Sequence, residues 1–244
     1  MSLLVKYLSN LGYGSRRDVA RLLEQQRVTD ARAVPMRANT PFTHDDLRVD
    51  DRPIDPAFGS VVMLHKPTGF VCSTTDASNP VVYALLPARF RARSPMMAPV
   101  GRLDLDTSGL LLLTDDGALN HRLTSPKSHV SKVYVATLAE PLRGDERERF
   151  ASGTLTLAAD AAPLLPVGME VLDTHTVQLT LAEGRYHQVR RMFAAVGNHV
   201  LQLHRVAIGA LTLGDLPVGT WRVLTNAERA LLAPRATPSA PTTP

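Results

Sequence analysis

Residues 101–117 read Gly-Arg-Leu-Asp-Leu-Asp-Thr-Ser-Gly-Leu-Leu-Leu-Leu-Thr-Asp-Asp-Gly, a polar segment followed directly by a short apolar run. Gly101 and Gly109 bracket the polar part, and glycines let a backbone approach a ligand closely. Arg102 and Asp104 are two residues apart, so an extended chain directs both side chains to one side, where the guanidinium favours the ionised carboxylate. Because a nucleophile or base needs such an oriented carboxylate, the segment predicts a functional loop around Asp104.

The acids of this loop also allow two other interpretations. In an EF-hand-like calcium loop, positions one, three, five, six and twelve would be filled by Asp104, Asp106, Ser108, Gly109 and Asp115. That pattern is incomplete, because its ninth position is Leu112, its twelfth lacks glutamate, and the preceding residues 98–100 do not favour a helix. The acids could instead be solvated on a surface turn. We predict no metal site here.

A small basic unit precedes this loop. Apolar residues at helical spacing from Leu4 to Leu11 predict a first helix, and Ser15 is a suitable N-cap for a second helix, with Asp18 three residues later. Short strands around polar turns are predicted at Val28, Val34, Leu47 and Val49. A linker is predicted at Pro53, Pro56 and Gly59.

The larger unit mixes strand and helix patterns without a regular β-α-β alternation. Extended runs are predicted at residues 61–65, 133–138, 177–181 and 200–208, and a helical period over 189–196 that Gly197 would close. The basic, Pro-interrupted stretch 89–99 predicts an exposed loop. We therefore expect an α+β fold with a mostly antiparallel sheet.

These patterns divide the chain into two predicted domains and a C-terminal tail. We predict domains at residues 1–57 and 58–231, and a disordered tail rich in Pro, Thr and Ala at 232–244.

The composition limits the class of protein. The 244 residues carry a formal net charge of +4, and residues 1–37 hold seven basic side chains against three acidic ones, which favours an anionic partner. The single cysteine, Cys72, excludes an internal disulfide and a zinc site of paired cysteines. No apolar run is long enough for a simple membrane-spanning helix, so we expect no membrane partner and a cytoplasmic location.

Three segments of the chain resemble the pseudouridine synthases: the 101–117 segment, Lys132-Val133-Tyr134, and the run 183–192, which reads Glu-Gly-Arg-Tyr-His-Gln-Val-Arg-Arg-Met. The resemblance implies isomerisation of uridine within RNA, with Asp104 as the catalytic carboxylate and without a cofactor. It implies that Tyr134 lies against the target base and that Arg190 pairs with the catalytic aspartate. Arg102 would fill the space that the extruded base leaves in the RNA.

RNA-binding residues are predicted in both units. The N-terminal unit resembles an S4 RNA-binding domain through residues 15–23 and 26–28, although the glycine usual in the following turn is absent. Its basic side chains would meet RNA phosphates, and they are Arg16, Arg17, Arg21 and Arg27. In the larger unit, phosphate contact and a solvated face are equally compatible with Arg185, Arg190 and Arg191, and we expect a structural or RNA-contacting role for His187.

Residues 186–199 and 203–205 resemble the small-subunit rRNA group within this family. That resemblance implies small-subunit ribosomal RNA, or an assembling small ribosomal subunit, as the partner, and the uridine at position 516 of 16S rRNA as the target. A large-subunit rRNA synthase and a non-catalytic S4-type protein of ribosome assembly are the alternatives. Nothing in the sequence suggests an obligate dimer, so we expect a monomer.

Overall fold

Two β-sheets and the helices around them organise the chain in a computed structural model that describes residues 3–232. The α-helices are α1 (Leu3–Asn10), α2 (Arg16–Glu24), α3 (Arg89–Ala92), α4 (Gly117–Thr124), α5 (Glu146–Ala151), α6 (Gln188–Ala195) and α7 (Asn226–Ala230). The strands are β1 (Val28–Thr29), β2 (Arg48–Val49), β3 (Arg52–Pro53), β4 (Val61–Lys66), β5 (Ala98–Val100), β6 (Thr107–Thr114), β7 (Lys132–Leu138), β8 (Gly168–Val171), β9 (Thr176–Leu181), β10 (Val200–Ile208), β11 (Leu211–Thr212) and β12 (Trp221–Val223). Single 3-10 turns occur at Val82–Leu85 and Pro126–Ser128. All but the first residue of the predicted tail 232–244 lies outside the described residues.

The N-terminal part has its own hydrophobic core. Helices α1 and α2 pack on the three-stranded sheet β1-β2-β3, and the cluster between them includes Leu4, Leu8, Val19, Val28 and Val49. The predicted N-cap of α2 is confirmed, since the Ser15 hydroxyl accepts a hydrogen bond from the Asp18 backbone N–H and the Asp18 carboxylate accepts one from the Ser15 N–H.

The turn after β1 forms without glycine. The Asp30 carboxylate accepts hydrogen bonds from the backbone N–H groups of Arg32 and Val34 at 2.8 and 2.9 Å, and Ala33 takes the left-handed conformation with φ +63°. An aspartate that bonds its own turn thus replaces the missing glycine. The predicted strand at Val34 is wrong, because this half-exposed residue lies in the turn, where its carbonyl accepts a hydrogen bond from the Asp30 backbone N–H.

The larger sheet has the strand order β12-β4-β6-β10-β7-β9-β8, with β5 paired to β6 and β11 paired to β10. Its pairings are antiparallel except that of β6 with β10, where Thr107 lies opposite Leu203. The predicted α+β class with a mostly antiparallel sheet is therefore confirmed. The strand order brings the loop before β6 close to β7 and to α6, which precedes β10.

Gly109 allows strands β6 and β10 to pack closely. Its φ is +112°, and a Cβ at this position would lie 2.3 Å from the Arg205 carbonyl oxygen on β10. The prediction that this glycine lets the backbone approach a ligand is therefore wrong, because the close approach is between two strands.

The predicted exposed loop at residues 89–99 is correct only in part, because five of its residues are exposed but the segment begins as α3 and ends in β5. Phe90 and Met97 are fully buried in the core below β4 and β6, and the Arg93 side chain is 0% exposed. The Arg93 guanidinium lies 2.7 Å from the Asp115 carboxylate and donates to the Pro56 carbonyl at 2.7 Å. Apolar residues between the arginines drive burial, and Asp115 compensates the buried charge. Since Asp115 is engaged in this way, the calcium-loop interpretation fails.

Within residues 3–232, no helix combines the length and the hydropathy that a membrane crossing requires.

Candidate active site

A cleft of about 390 Å³ opens between the loop before β6, strand β7 and the turn before α6. Its lining includes five of the residues predicted from sequence, together with the backbone around them: Arg102, Asp104, Tyr134, Arg185 and His187. A second cavity of about 610 Å³ lies against the N-terminal unit, but two of the three arginines that line it, Arg27 and Arg89, are already paired with Asp50 and Asp55, and none of the residues predicted for catalysis lines it. The cleft at Asp104 is therefore the candidate active site.

A buried lysine holds the turn that carries Asp104. The Nζ of Lys66, at the end of β4, donates to the backbone carbonyls of Pro67, Asp104 and Thr107 at 3.1, 2.9 and 2.7 Å. The Lys66 side chain is fully buried, and burial lowers its pKa below the ordinary 10.5. Three N–H donors thus meet three carbonyls, which fixes the backbone of residues 104–107 while the Asp104 carboxylate stays free for the cleft.

The Asp104 carboxylate is in contact with the imidazole of His187. Its Nε2 lies 3.4 Å from Oδ1 of Asp104, and both side chains are about one third exposed. The predicted partner, Arg190, lies elsewhere: its Nη2 is 2.8 Å from the Asp106 carboxylate, and its Nη1 donates to the Val200 carbonyl at 2.8 Å. The predicted Arg190–Asp104 pair is therefore wrong for this structure, because α6 directs Arg190 to the outer side of the loop.

Arg102 is at the cleft but is not paired with Asp104. Its side chain is exposed, and among residues 3–232 its guanidinium forms no ion pair or hydrogen bond. The predicted common direction of Arg102 and Asp104 is confirmed only in that both line the cleft. A free cation at the cleft mouth is suited to meet an anionic ligand.

Tyr134 lies on β7, directly opposite a buried arginine of β10. The Nη1 of Arg205 is 3.4 Å from the Tyr134 hydroxyl, and its Nε donates to the Leu110 carbonyl at 2.8 Å. Arg205 is only 3% exposed, and no carboxylate of residues 3–232 pairs with it. A buried cation without an acidic partner is costly, so its presence behind the cleft indicates a functional role.

Arg185 and Arg191 both form ion pairs with the carboxylate of Asp160. Their guanidinium groups lie 3.0 and 2.6 Å from its carboxylate oxygens, and Glu183 adds a contact of 3.1 Å to Arg185. Hydrogen bonds from Arg191 and then Arg185 hold the pKa of Asp160 below its ordinary value. Both cations are neutralised in the protein, so they shape the turn before α6 in the absence of RNA.

The predicted RNA-binding arginines of the N-terminal unit are exposed. Arg27 is paired with Asp50 at 2.6 Å. Within the described residues, no ion pair or hydrogen bond engages the guanidinium groups of Arg16, Arg17 and Arg21 on α2. Helix α2 therefore presents unpaired positive charge to solvent.

Sequence reasoning missed Lys66 and Arg205 as parts of the site. A signal for each was present, since Lys66 ends the apolar run 61–64 and Arg205 interrupts the extended run 200–208. Charged residues in otherwise buried strands need a special partner. Their partners, backbone carbonyls and a tyrosine hydroxyl, could not be identified without the tertiary structure.

The chain is similar over most of its length to known proteins of one family. The family model described as RNA pseudouridylate synthase matches residues 60–195. A relative from Yersinia pestis, "Ribosomal small subunit pseudouridine synthase A", is 44% identical over 93% of this chain and 96% of its own length. The protein of that name from Escherichia coli K12 is 43% identical over 88% of this chain and 93% of its own. A solved "pseudouridylate synthase" superposes with a TM-score of 0.68 at 37% identity, covering 94% of this chain and 99% of its own.

Proposed function

Because this chain belongs to the RNA pseudouridylate synthase family, we propose that it isomerises a uridine of small-subunit ribosomal RNA, with Asp104 as the catalytic carboxylate. The observation that carries this proposal is the Asp104 carboxylate in a cleft with Tyr134 and a free Arg102. The Lys66 ammonium holds the backbone of the Asp104 turn and leaves the carboxylate exposed to a bound nucleotide.

The reaction rearranges one nucleotide without net loss or gain of atoms. The bond from N1 of uracil to C1′ of ribose breaks, the base turns, and a bond from C5 to C1′ forms. The proton on C5 leaves and N1 finally gains one, so no electron donor or group donor enters the balance. Asp104 contributes either by attack on C1′ or by removal of a proton from the sugar, and each route uses its carboxylate as a base or nucleophile.

Tyr134 and Arg102 have complementary tasks in this scheme. Tyr134 contacts the extruded uracil and helps to move the C5 proton, since its hydroxyl lies beside the Arg205 guanidinium at 3.4 Å. Arg102 enters the space that the base vacates in the RNA, because its guanidinium has no partner within the described chain.

The choice of RNA rests on the relatives. Those from Yersinia pestis and Escherichia coli are named as small-subunit enzymes. We propose the uridine at position 516 of 16S rRNA as the target, in free RNA or in an assembling small subunit. The S4-like unit contributes non-specific phosphate contacts through Arg16, Arg17 and Arg21, and Arg27 exchanges Asp50 for phosphate. The enzyme acts as a monomer in the cytoplasm.

The proposed function is tested by replacing the Asp104 carboxylate with an amide. A strain that lacks the gene is complemented with the wild-type chain, with Asp104→Asn or with Asp106→Asn, and pseudouridines are mapped in both ribosomal RNAs. We expect Asp104→Asn to restore no modification while the purified variant still binds RNA. Asp106→Asn makes the same change of charge in the same loop, and we expect it to restore most of the modification, because Asp106 is paired with Arg190 outside the cleft.

Two results would contradict the proposal. A lost site in the large-subunit RNA of the deletion strain would make the chain a large-subunit synthase. Full modification by Asp104→Asn would remove the carboxylate from the reaction and leave a non-catalytic RNA-binding role.

A further inference from the structure

Two aromatic rings are stacked at the edge of the Asp104 cleft. The ring centroids of Tyr186 and His187 are 3.9 Å apart, and their planes differ by 15°. Both residues line the cleft, and Nε2 of the His187 ring lies 3.4 Å from the Asp104 carboxylate. Tyr186 is 75% exposed, although a tyrosine is a large apolar residue. The stack therefore presents an open aromatic face at the cleft mouth.

The backbone under this stack is held in an unusual conformation. His187 has φ +48° and ψ +34°, in the left-handed region, and it is the N-cap residue of α6. The Gln188 side chain accepts a hydrogen bond from the Arg185 backbone N–H at 2.8 Å, and the Arg191 guanidinium donates to the Tyr186 carbonyl at 3.2 Å. Left-handed non-glycine residues cluster at ligand sites, where surrounding bonds fix them. The aromatic face is thus pre-organised before any ligand arrives.

We propose that the Tyr186–His187 stack is a docking platform for the nucleobase next to the target uridine. This inference rests on the proposed function, because it assigns part of the same RNA to the cleft rim. The cleft of about 390 Å³ has room for one extruded base, so the neighbouring nucleotides pass over its edge. Extrusion removes a stacking partner from each neighbour, and an exposed aromatic side chain can replace it.

Stacking is also the interaction that the local charges favour. The three arginines closest in sequence are already paired with carboxylates, Arg185 and Arg191 with Asp160 and Arg190 with Asp106. The platform therefore recognises a base face, which every nucleobase has, whereas a phosphate would find no free cation on this turn. Its contribution to affinity should depend little on salt, in contrast to the phosphate contacts of α2.

The experiment uses 2-aminopurine, whose fluorescence is quenched when it stacks. Hairpins of small-subunit rRNA around the proposed target uridine carry this base at one flanking position at a time, and they are bound to the full chain in an Asp104→Asn background so that the RNA stays unconverted. We expect quenching at one adjacent position, its loss in Tyr186→Ala, and its retention in Tyr186→Phe, which keeps the ring.

The affinity for unlabelled hairpin is measured in parallel at about 50 and 200 mM salt. Tyr186→Ala should weaken binding about 5- to 150-fold, by the same factor at both salt concentrations. In the chain that keeps Asp104, Tyr186→Ala should raise KM more than it lowers kcat. Leu172→Ala, which truncates an apolar residue that is 50% exposed away from the cleft, should change none of these values.

The platform is refuted if Tyr186→Ala leaves both quenching and affinity unchanged, or if Tyr186→Phe loses as much as Tyr186→Ala. In either case the wild-type chain can still form pseudouridine in the same hairpin, so the proposed function survives. A wild-type chain that binds the hairpin but forms no pseudouridine contradicts the function instead.

Discussion

Arg205 is the residue whose environment differs most from that of an ordinary arginine. It is almost fully buried, has no carboxylate partner within the described chain, and reaches the Tyr134 hydroxyl. The guanidinium orients the Tyr134 hydroxyl, which under the proposed function meets the extruded uracil. We regard Arg205 as a positioning residue that acts through Tyr134.

A double-mutant cycle tests this coupling. We expect Arg205→Met to lower kcat about 100-fold with little change in RNA affinity, because the phenol loses its orientation and its charge partner. The double variant with Tyr134→Phe should be no slower than Tyr134→Phe alone. Arg222→Met, which removes an arginine paired with Glu228 away from the cleft, is the control. Additive effects of Arg205→Met and Tyr134→Phe would contradict the coupling.

Lys66 gives the site a pH dependence of defined sign. Burial lowers its pKa below the ordinary 10.5, and only the ammonium form has three N–H donors for the carbonyls of Pro67, Asp104 and Thr107. As the pH rises through the lowered pKa, one carbonyl loses its donor and the Asp104 turn loosens. We therefore expect kcat to fall on the alkaline side before pH 10.5 is reached.

The free energy of unfolding should change with pH in the opposite direction to kcat: it should increase as the pH rises through the lowered pKa of Lys66. Between the lowered pKa and 10.5, the unfolded chain binds a proton that the folded chain lacks, so the cost of burying the ammonium fades as the pH rises. Single-turnover rates and urea unfolding from about pH 8 upward measure both effects. Lys66→Met should be slow at all pH values and should lack both dependences; an unchanged alkaline limb in this variant would assign it to another group.

At the scale of elements, the pairing of β6 with β10 fixes the distance between Asp104 and Tyr134. Thr107 and Gly109 lie opposite Leu203 and Arg205, and Arg205 in turn lies opposite Tyr134 on β7. The three strands thus hold the carboxylate turn, the buried cation and the tyrosine in one register. A change that separates β6 from β10 should affect all three together.

Gly109 is the point where that register is most sensitive. In Gly109→Ala, the added Cβ would lie 2.3 Å from the Arg205 carbonyl oxygen on a backbone with φ +112°. We expect a loss of about 2–5 kcal/mol in the free energy of unfolding, measured by urea denaturation, together with a loss of activity. Gly117→Ala, at the first residue of α4 with nothing within 4 Å, should instead be neutral or stabilising by up to about 1 kcal/mol. Equal effects of the two substitutions would contradict this account.

At the scale of the whole molecule, the buried Arg93–Asp115 pair joins the linker to the large sheet. Arg93 donates to the carbonyls of Pro56 and Ala57, and Asp115 accepts from the Gly59 backbone N–H at 2.7 Å. The segment between the two hydrophobic cores is therefore tied to the catalytic part, which limits how freely the N-terminal unit can change its position.

Removal of one partner should reveal this tie. Asp115→Ala leaves the Arg93 charge buried without compensation, so we expect a loss of about 3–5 kcal/mol in the free energy of unfolding. Limited proteolysis should then cut the linker at residues 55–60. Asp116→Ala, next in the chain, removes the N-cap of α4 and should cost only about 1 kcal/mol. If the protease cuts the linker of Asp115→Ala no faster than the linker of the wild-type chain, this account of the linker is wrong.

We expect that adding calcium does not change the melting temperature of the wild-type chain, because the Asp115 carboxylate is already paired with Arg93.

The sequence by itself determined the α+β class, the Ser15 cap and the principal strands. These features follow from local patterns, since apolar periodicity and capping chemistry act over a few neighbouring residues. That Asp104 and Tyr134 share a cleft was expected only from the family resemblance, because the two residues lie on separate segments of the chain. Only the tertiary structure decided which cations serve which carboxylates. It paired Arg190 with Asp106, Arg93 with Asp115, and both Arg185 and Arg191 with Asp160. Charges attract at short range in any direction, so their partners depend on how distant segments pack and cannot be inferred from spacing along the chain.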